Sequence, residues 1–214
     1  MGKIKKGILG GFSGKVGTVV GANWKSISYM RSLPQKVKNP RTLLQRKQRG
    51  KFSIVMELLK PLTAILRIGW KNYAKNQTPT NAAMAYTLAN AVTGTFPDFK
   101  IDYTKVLISQ GSLPSVTGTS ATSTGRKINL AWDDNSGVGT AKATDKTLVV
   151  IVNPTKGETI SLAEGTSRSD AGQSIDVPND WVGNKVEVYL GFAAESGKEV
   201  SNSLHFSQIT ILNS

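Results

Sequence analysis

The chain has 214 residues, with 27 Lys and Arg against 14 Asp and Glu, one His and no Cys. A chain without Cys has no disulfide framework, thiol nucleophile, Cys-ligated zinc or iron–sulfur cluster. With a single His, a Ser-His-Asp triad would depend on His205 alone. We therefore expect no enzymatic activity, no cofactor and no metal site.

Charge is divided unevenly along the chain. Residues 1–105 carry 19 basic and 3 acidic side chains, whereas residues 106–214 carry 8 and 11. The first 56 residues hold 13 basic groups and no acidic one. Such asymmetry is typical of a part that docks on a polyanion or an acidic partner. A basic face that only aids solubility is the alternative interpretation.

The start of the chain does not fit a secretory signal, because Lys15 interrupts its apolar stretch too early. The longest uncharged stretch, 76–97, is too polar to cross about 30 Å of hydrocarbon. We expect cytoplasmic synthesis without a signal peptide, no membrane insertion, and a final location in a virion or other particle.

Glycines interleaved with β-forming residues predict a β-hairpin over 15–31, with glycine at bulges or close backbone approaches. Gly14-Lys15 invites comparison with a nucleotide-binding P-loop. That motif needs Gly where Leu9 stands and Ser or Thr where Val16 stands, so the phosphate cradle is not formed.

Apolar residues at helical spacing follow the hairpin. Asn39-Pro40 is a favourable helix entry, because Asn caps free amides and Pro tolerates the first helical position. Pro61 divides the pattern, and Asn81 is expected to cap a later helix. The pattern predicts helices over 40–59, 61–74 and 82–92.

Seven cations around the start of the first predicted helix form the candidate docking site. Positive charge in the first turns opposes the helix dipole, which indicates that this face is used. Contact with a phosphate backbone, contact with an acidic protein surface, and a merely solvated face are the interpretations. Base-specific reading lacks a recognisable module. The residues are Lys36, Lys38, Arg41, Arg46, Lys47, Arg49 and Lys51.

From about residue 106, short β-rich runs alternate with turn clusters. Residues 127–132 alternate in polarity, which places Trp132 in the core, and 148–152 is continuously apolar, as a buried central strand would be. Strands are predicted over 116–123, 127–132, 146–153, 158–163, 173–177, 185–193 and 202–212.

Seven short strands in about 100 residues predict an immunoglobulin-like β-sandwich. With Leu-x-Trp on one strand and Tyr189 on a later one, residues 115–214 resemble a fibronectin type III domain. The expected fold class is α+β, with an N-terminal β-hairpin plus helices and a C-terminal seven-stranded immunoglobulin-like β-sandwich. The expected domains are 1–105 and 106–214, and a fragment of 112–214 is expected to fold alone.

Two polar features of the sandwich invite a functional interpretation. The turn at 133–137, with Asp145 nearby, resembles a calcium loop in composition. An EF-hand loop would need Gly and Glu where Val138 and Thr144 stand, so a polar turn is favoured. His205 lies in the last predicted strand and is expected to be structural, at the surface or at an interface.

Two resemblances bear on function. Residues 11–21 (GFSGKVGTVVG), 30–34 (MRSLP) and 132–137 (WDDNSG) resemble an uncharacterised bacterial family across nearly the whole chain, which implies no particular activity. Asn-Pro-Arg-Thr at 39–42 opens a pattern similar to a helical module of predicted bacteriophage structural proteins, although Pro61 interrupts it. The rest of that pattern is Gln45, Arg49, Phe52, Trp70 and Asn81.

Together these features predict a non-enzymatic structural or assembly protein of virion or particle type, docking through its basic N-terminal half. Its expected partners are further copies of itself or other particle subunits, and the backbone of DNA or RNA. The alternatives are a sequence-nonspecific nucleic-acid-binding protein and a surface module whose sandwich recognises glycan or protein.

Overall fold

The computed structural model of the chain describes residues 2–4, 10–24, 27–33, 41–74 and 76–213. The chain forms two compact units, Met1–Leu43 and Leu44–Ser214. The candidate residues Lys36 and Lys38, and the helix entry predicted at 39–40, lie outside the described residues.

The first unit is an antiparallel four-stranded sheet whose neighbouring strands follow one another along the chain. The sequence predicted one hairpin over 15–31, and the structure shows two hairpins that share a central strand. The strands are β1 (Lys3–Ile4), β2 (Phe12–Val16), β3 (Val19–Trp24) and β4 (Ile27–Ser32).

The second unit begins with helices α1 (Leu43–Leu59), α2 (Thr63–Gly69) and α3 (Pro79–Asn90). The predicted break at Pro61 is confirmed, because α1 ends before it and α2 begins after it. The predicted cap at Asn81 is wrong. Thr78 is the N-cap, and its hydroxyl accepts a hydrogen bond from the backbone N–H of Asn81 at 3.2 Å. None of these helices is long and apolar enough to span a membrane.

The remaining strands form three antiparallel sheets. Strands β5 (Val92–Thr95) and β6 (Asp98–Ile101) make a hairpin. The other two sheets have the orders β11-β8-β7 and β10-β9-β12-β13. Each predicted strand coincides with one of their seven strands to within two residues. These are β7 (Thr117–Thr124), β8 (Lys127–Asp133), β9 (Lys146–Asn153), β10 (Glu158–Leu162), β11 (Gly172–Asp176), β12 (Lys185–Ala193) and β13 (Leu204–Thr210).

In the sheet β10-β9-β12-β13, both faces of the central strands β9 and β12 are buried. One face, including Val150 and Tyr189, packs in a core with the apolar residues of α1, α2 and α3. The other face, including Ile151, packs with Trp132 and the rest of the three-stranded sheet. This arrangement explains the continuous apolar run in β9.

Hydrogen bonds also tie the segment after the helices to the end of the chain. The backbone N–H of Ile108 donates to Ser203 Oγ at 3.0 Å, and Ser203 N–H donates to the Ser109 carbonyl at 3.1 Å. The sequence predicted a boundary between 105 and 106, whereas the compact units divide between 43 and 44. The reason is that helices and sheets of the second unit share one core.

Candidate docking surfaces

Four of the seven candidate cations lie on the first three turns of α1. Arg46, Lys47 and Arg49 are exposed and Lys51 is half-buried. Arg41 belongs to the first unit, where it is exposed and has a left-handed φ of 47°. The structure therefore brings together Arg46, Lys47, Arg49 and Lys51 on one helix of the second unit.

Two of these helix cations contact the β5–β6 hairpin of their own unit. The Arg46 guanidinium lies 5.8 Å from the centre of the Phe96 ring, and Lys51 Nζ lies 5.4 Å from that of Phe99. Gly50 permits this approach, since a Cβ there would lie only 3.3 Å from the Phe99 ring. Arg46 and Lys51 therefore stabilise the hairpin by cation–π contact as well as carrying charge.

Helix α1 also has apolar side chains that are exposed to solvent. Leu44, Phe52 and Met56 are exposed at four- and eight-residue spacing, so they follow one side of the helix. Arg49 and Phe52 line the same shallow groove. This surface offers both apolar contact and positive charge, which sequence reasoning had interpreted as charge alone.

One face of the first unit's sheet combines cations with aromatic rings. Residues directly opposite one another on paired strands share a face, as do alternate residues of one strand. We call residues that pair directly across neighbouring strands a row. Lys15, Val20 and Arg31 form one row, Tyr29 lies in the next row on the same face, and Trp24 lies in the row after that. Lys3 pairs with Ser13 on the same face. We call this surface the cationic face; it comprises Lys3, Ser13, Lys15, Val20, Ala22, Trp24, Ile27, Tyr29 and Arg31.

The opposite face of that sheet has no described cation and combines apolar side chains with small polar ones such as Asn23 and Ser28. Phe12, Val16, Val19 and Met30 alternate with the residues of the cationic face. The Phe12 ring lies so close to Gly21 that a Cβ there would be 2.6 Å from a ring carbon. The two faces therefore differ in chemistry, and every described cation of the strands lies on the cationic face.

The polar residues considered as calcium ligands make contacts within the second unit itself. Arg168 is fully buried; its Nε lies 3.1 Å from Asp145 Oδ2 and its Nη1 2.6 Å from Asn135 Oδ1. Hydrogen bonds from Ser136 lower the pKa of Asp134. The segment is the polar turn that the sequence favoured, and Arg168 anchors it.

His205 has an acidic neighbour on the adjacent strand. Its Nε2 lies 2.7 Å from Glu187 Oε2, and its ring centre lies 5.0 Å from that of Tyr189. Both side chains of the His–Glu pair are largely buried, whereas the sequence predicted His205 at the surface or at an interface. Across the described part of the chain, no group of three or more His, Asp and Glu side chains is placed to hold a metal ion.

The chain is thus an α+β protein built from antiparallel sheets and a helical layer. It belongs to a family of unknown function (DUF6266), which matches residues 11–207. This match confirms the family resemblance drawn from residues 11–21, 30–34 and 132–137. A comparison with curated proteins finds no match.

Two solved structures show a likeness to the chain. The fn3 domain of human collagen alpha-1(XX) chain is 12% identical, and the match covers 50% of this chain and 93% of that domain, with a TM-score of 0.34. A human fourth FNIII domain is 16% identical, covering 56% and 91%, with a TM-score of 0.31.

Proposed function

We propose that this chain is a non-enzymatic structural or assembly protein of virion or particle type that docks through its basic N-terminal part. The observation that carries the proposal is that residues 1–43, one compact unit, hold nine basic and no acidic side chains. A surface of one sign favours a partner of the opposite sign and raises its rate of encounter.

In this proposal, the second unit is the folded domain that the basic first unit attaches to its partner. We assign strands β7–β13 to a seven-stranded immunoglobulin-like sandwich of the fibronectin type III kind. Their division into sheets of three and four antiparallel strands supports this assignment, as does Trp132 between the sheets. The resemblance of residues 39–81 to a helical module of phage structural proteins supports the particle class.

The proposal is tested by the mass of the full chain in solution and by its retention on a polyanion. Light scattering after size exclusion should give a mass above the 22.9 kDa of one chain, and a heparin column should retain the protein. A variant lacking residues 2–43 should be monomeric and unretained. A double variant with Lys127→Gln and Lys185→Gln is the matched control, because it removes exposed charge from the second unit alone. A full chain that stays monomeric and passes through heparin would overturn the proposal.

A further inference from the structure

We propose that the cationic face binds single-stranded nucleic acid, with bases stacked on Trp24 and Tyr29 and phosphates held by Lys3, Lys15 and Arg31. This inference rests on the proposed function, because it names the polyanion on which the first unit docks. It assigns the contact to the N-terminal sheet and not to the cations of α1.

The register sets the spacing between rings and charges. Rows two residues apart along a strand lie about 7 Å from one another. Tyr29 lies in the row between that of Arg31 and that of Trp24, and Trp24 is diagonal to Tyr29 across the β3–β4 pair. The sheet therefore places two neighbouring rings next to cations that are one row away. This arrangement suits single-stranded nucleic acid, in which each nucleotide carries one base and one phosphate.

Both rings are accessible on this face. Trp24 is 51% exposed and Tyr29 is 45% exposed. A large aromatic residue is normally placed where its apolar area is covered, so two half-exposed rings on one sheet face indicate a surface that a planar ligand covers.

The combination of rings and cations favours a single strand over the other acidic partners. A duplex offers phosphates but keeps its base faces stacked inside, where the rings of a sheet do not reach them. An acidic protein surface offers carboxylates without a series of planar groups. Only a single strand supplies both, since every base has a π-face that stacks regardless of sequence.

The test measures binding of the full chain to fluorescein-labelled oligo-dT and oligo-U of about 16 nucleotides, with a duplex of the same length beside them. Fluorescence anisotropy gives the affinity. Tryptophan fluorescence gives a second readout, because Trp70, Trp132 and Trp181 are buried, so quenching by stacked bases reports on Trp24. We expect tighter binding of single strands than of duplex, together with quenching.

Substitutions on the cationic face separate stacking from charge. Trp24→Ala and Tyr29→Ala should each weaken single-strand binding about 10-fold, whereas Trp24→Phe keeps the affinity and loses the quenching. Met30→Ala is the matched control: Met30 neighbours Tyr29 on the same strand, is exposed, and points to the opposite face. It should leave the affinity unchanged.

The salt dependence measures the phosphate contacts. Lys15→Gln and Arg31→Gln should each reduce the slope of log affinity against log salt by about one, because each removes one neutralised phosphate. Lys185→Gln, on the second unit, should leave the slope unchanged.

Two results would overturn this inference. Equal affinity for duplex and single strand with no effect of Trp24→Ala would show that phosphates alone are bound, and docking on a polyanion would still stand. No binding of any oligonucleotide in about 50 mM salt would also overturn it, and the mass measurement on the full chain would then decide the proposed function separately.

Discussion

The two units use the same residue types in opposite ways. Trp24, on the sheet of the first unit, is half-exposed. Trp132 is 4% exposed, packs between the three-stranded and four-stranded sheets of the second unit, and donates to the Arg168 carbonyl. Lys15 and Arg31 lie on the surface, while Arg168 is buried against Asp145. A sheet buries a face only when a second layer covers it, and among the described residues such layers are found within the second unit.

The largest expected effect on stability comes from truncating the chain, because only some fragments should fold cooperatively. A fragment of 44–214 should keep a cooperative thermal melt, because both core clusters lie within it. A fragment of 112–214, which the sequence predicted to fold alone, would expose Leu148, Val150 and Val152 where helices now cover them. We expect it to lose the cooperative transition in circular dichroism. A sharp melt of 112–214 at the temperature of the full chain would show that the helices contribute nothing to this core.

Single substitutions of Trp24 and Trp132 by alanine compare the stability that each ring contributes to its own unit. Trp132→Ala should lower the free energy of unfolding by about 3–5 kcal/mol, because it empties a large buried site. Trp24→Ala should cost less than about 1 kcal/mol, because its ring is half in water. Urea denaturation measures both values. Equal losses would contradict the difference in burial.

The buried ion pair between Asp145 and Arg168 should contribute more to the free energy of unfolding than an exposed ion pair does. Asp145→Asn leaves the buried Arg168 guanidinium without a counter-charge, so we expect a loss of about 3 kcal/mol. The control is Asp176→Asn, which breaks the exposed pair with Lys127 and should cost less than about 1 kcal/mol. Comparable losses in denaturant melts would mean that Arg168 finds compensation elsewhere.

The stability of the second unit should fall in alkali. Burial, followed by the negative charge of Glu187, raises the pKa of Tyr189 well above the ordinary value of 10.0. Above pH 10 the unfolded chain loses this proton and the folded chain keeps it, so unfolding is favoured as pH rises. The slope from this group is about 1.4 kcal/mol per pH unit.

Tyr189→Phe tests that slope. The variant loses the hydrogen bond to the Tyr103 carbonyl and about 1 kcal/mol at neutral pH, yet its stability should fall less steeply above pH 10. Tyr73→Phe, at an exposed position, should keep the wild-type slope. An unchanged slope in Tyr189→Phe would show that this phenol is not what titrates.

The smallest loss of stability is expected from substituting the exposed cations of α1. Replacing Arg46, Lys47 and Arg49 together by Gln should cost about 1 kcal/mol or less, and loss of the Arg46–Phe96 contact contributes to this cost. Lys47→Gln alone should leave the thermal midpoint nearly unmoved, since solvated charges contribute little. A large loss from Lys47→Gln would place that side chain in the fold.

Much of the fold follows from local pattern. Alternation and turn clusters placed the seven strands β7–β13, and Pro61 placed the break between α1 and α2. The packing of the helices on one face of β9 did not follow from local pattern, because it joins residues that are far apart in the sequence. The cap at Thr78 was missed because Asn81 offered an equally good local signal.

The candidate docking site was only partly predictable. The run of cations from Arg41 to Lys51 is visible in the sequence, but the stacking of Arg46 and Lys51 on Phe96 and Phe99 joins residues about 50 positions apart. The cationic face depends on strand register, which a shift of one residue would invert. The period of two linking Ile27, Tyr29 and Arg31 was the available signal.

The bond between Ile108 and Ser203 has a consequence for how the protein is made. Its partners are 95 residues apart, so this contact cannot form until Ser203 has left the ribosome. The hairpins of the first unit pair residues 3 to 13 positions apart, and contacts of such short range form quickly. A nascent chain therefore presents a finished N-terminal sheet while the body it belongs to is still being translated.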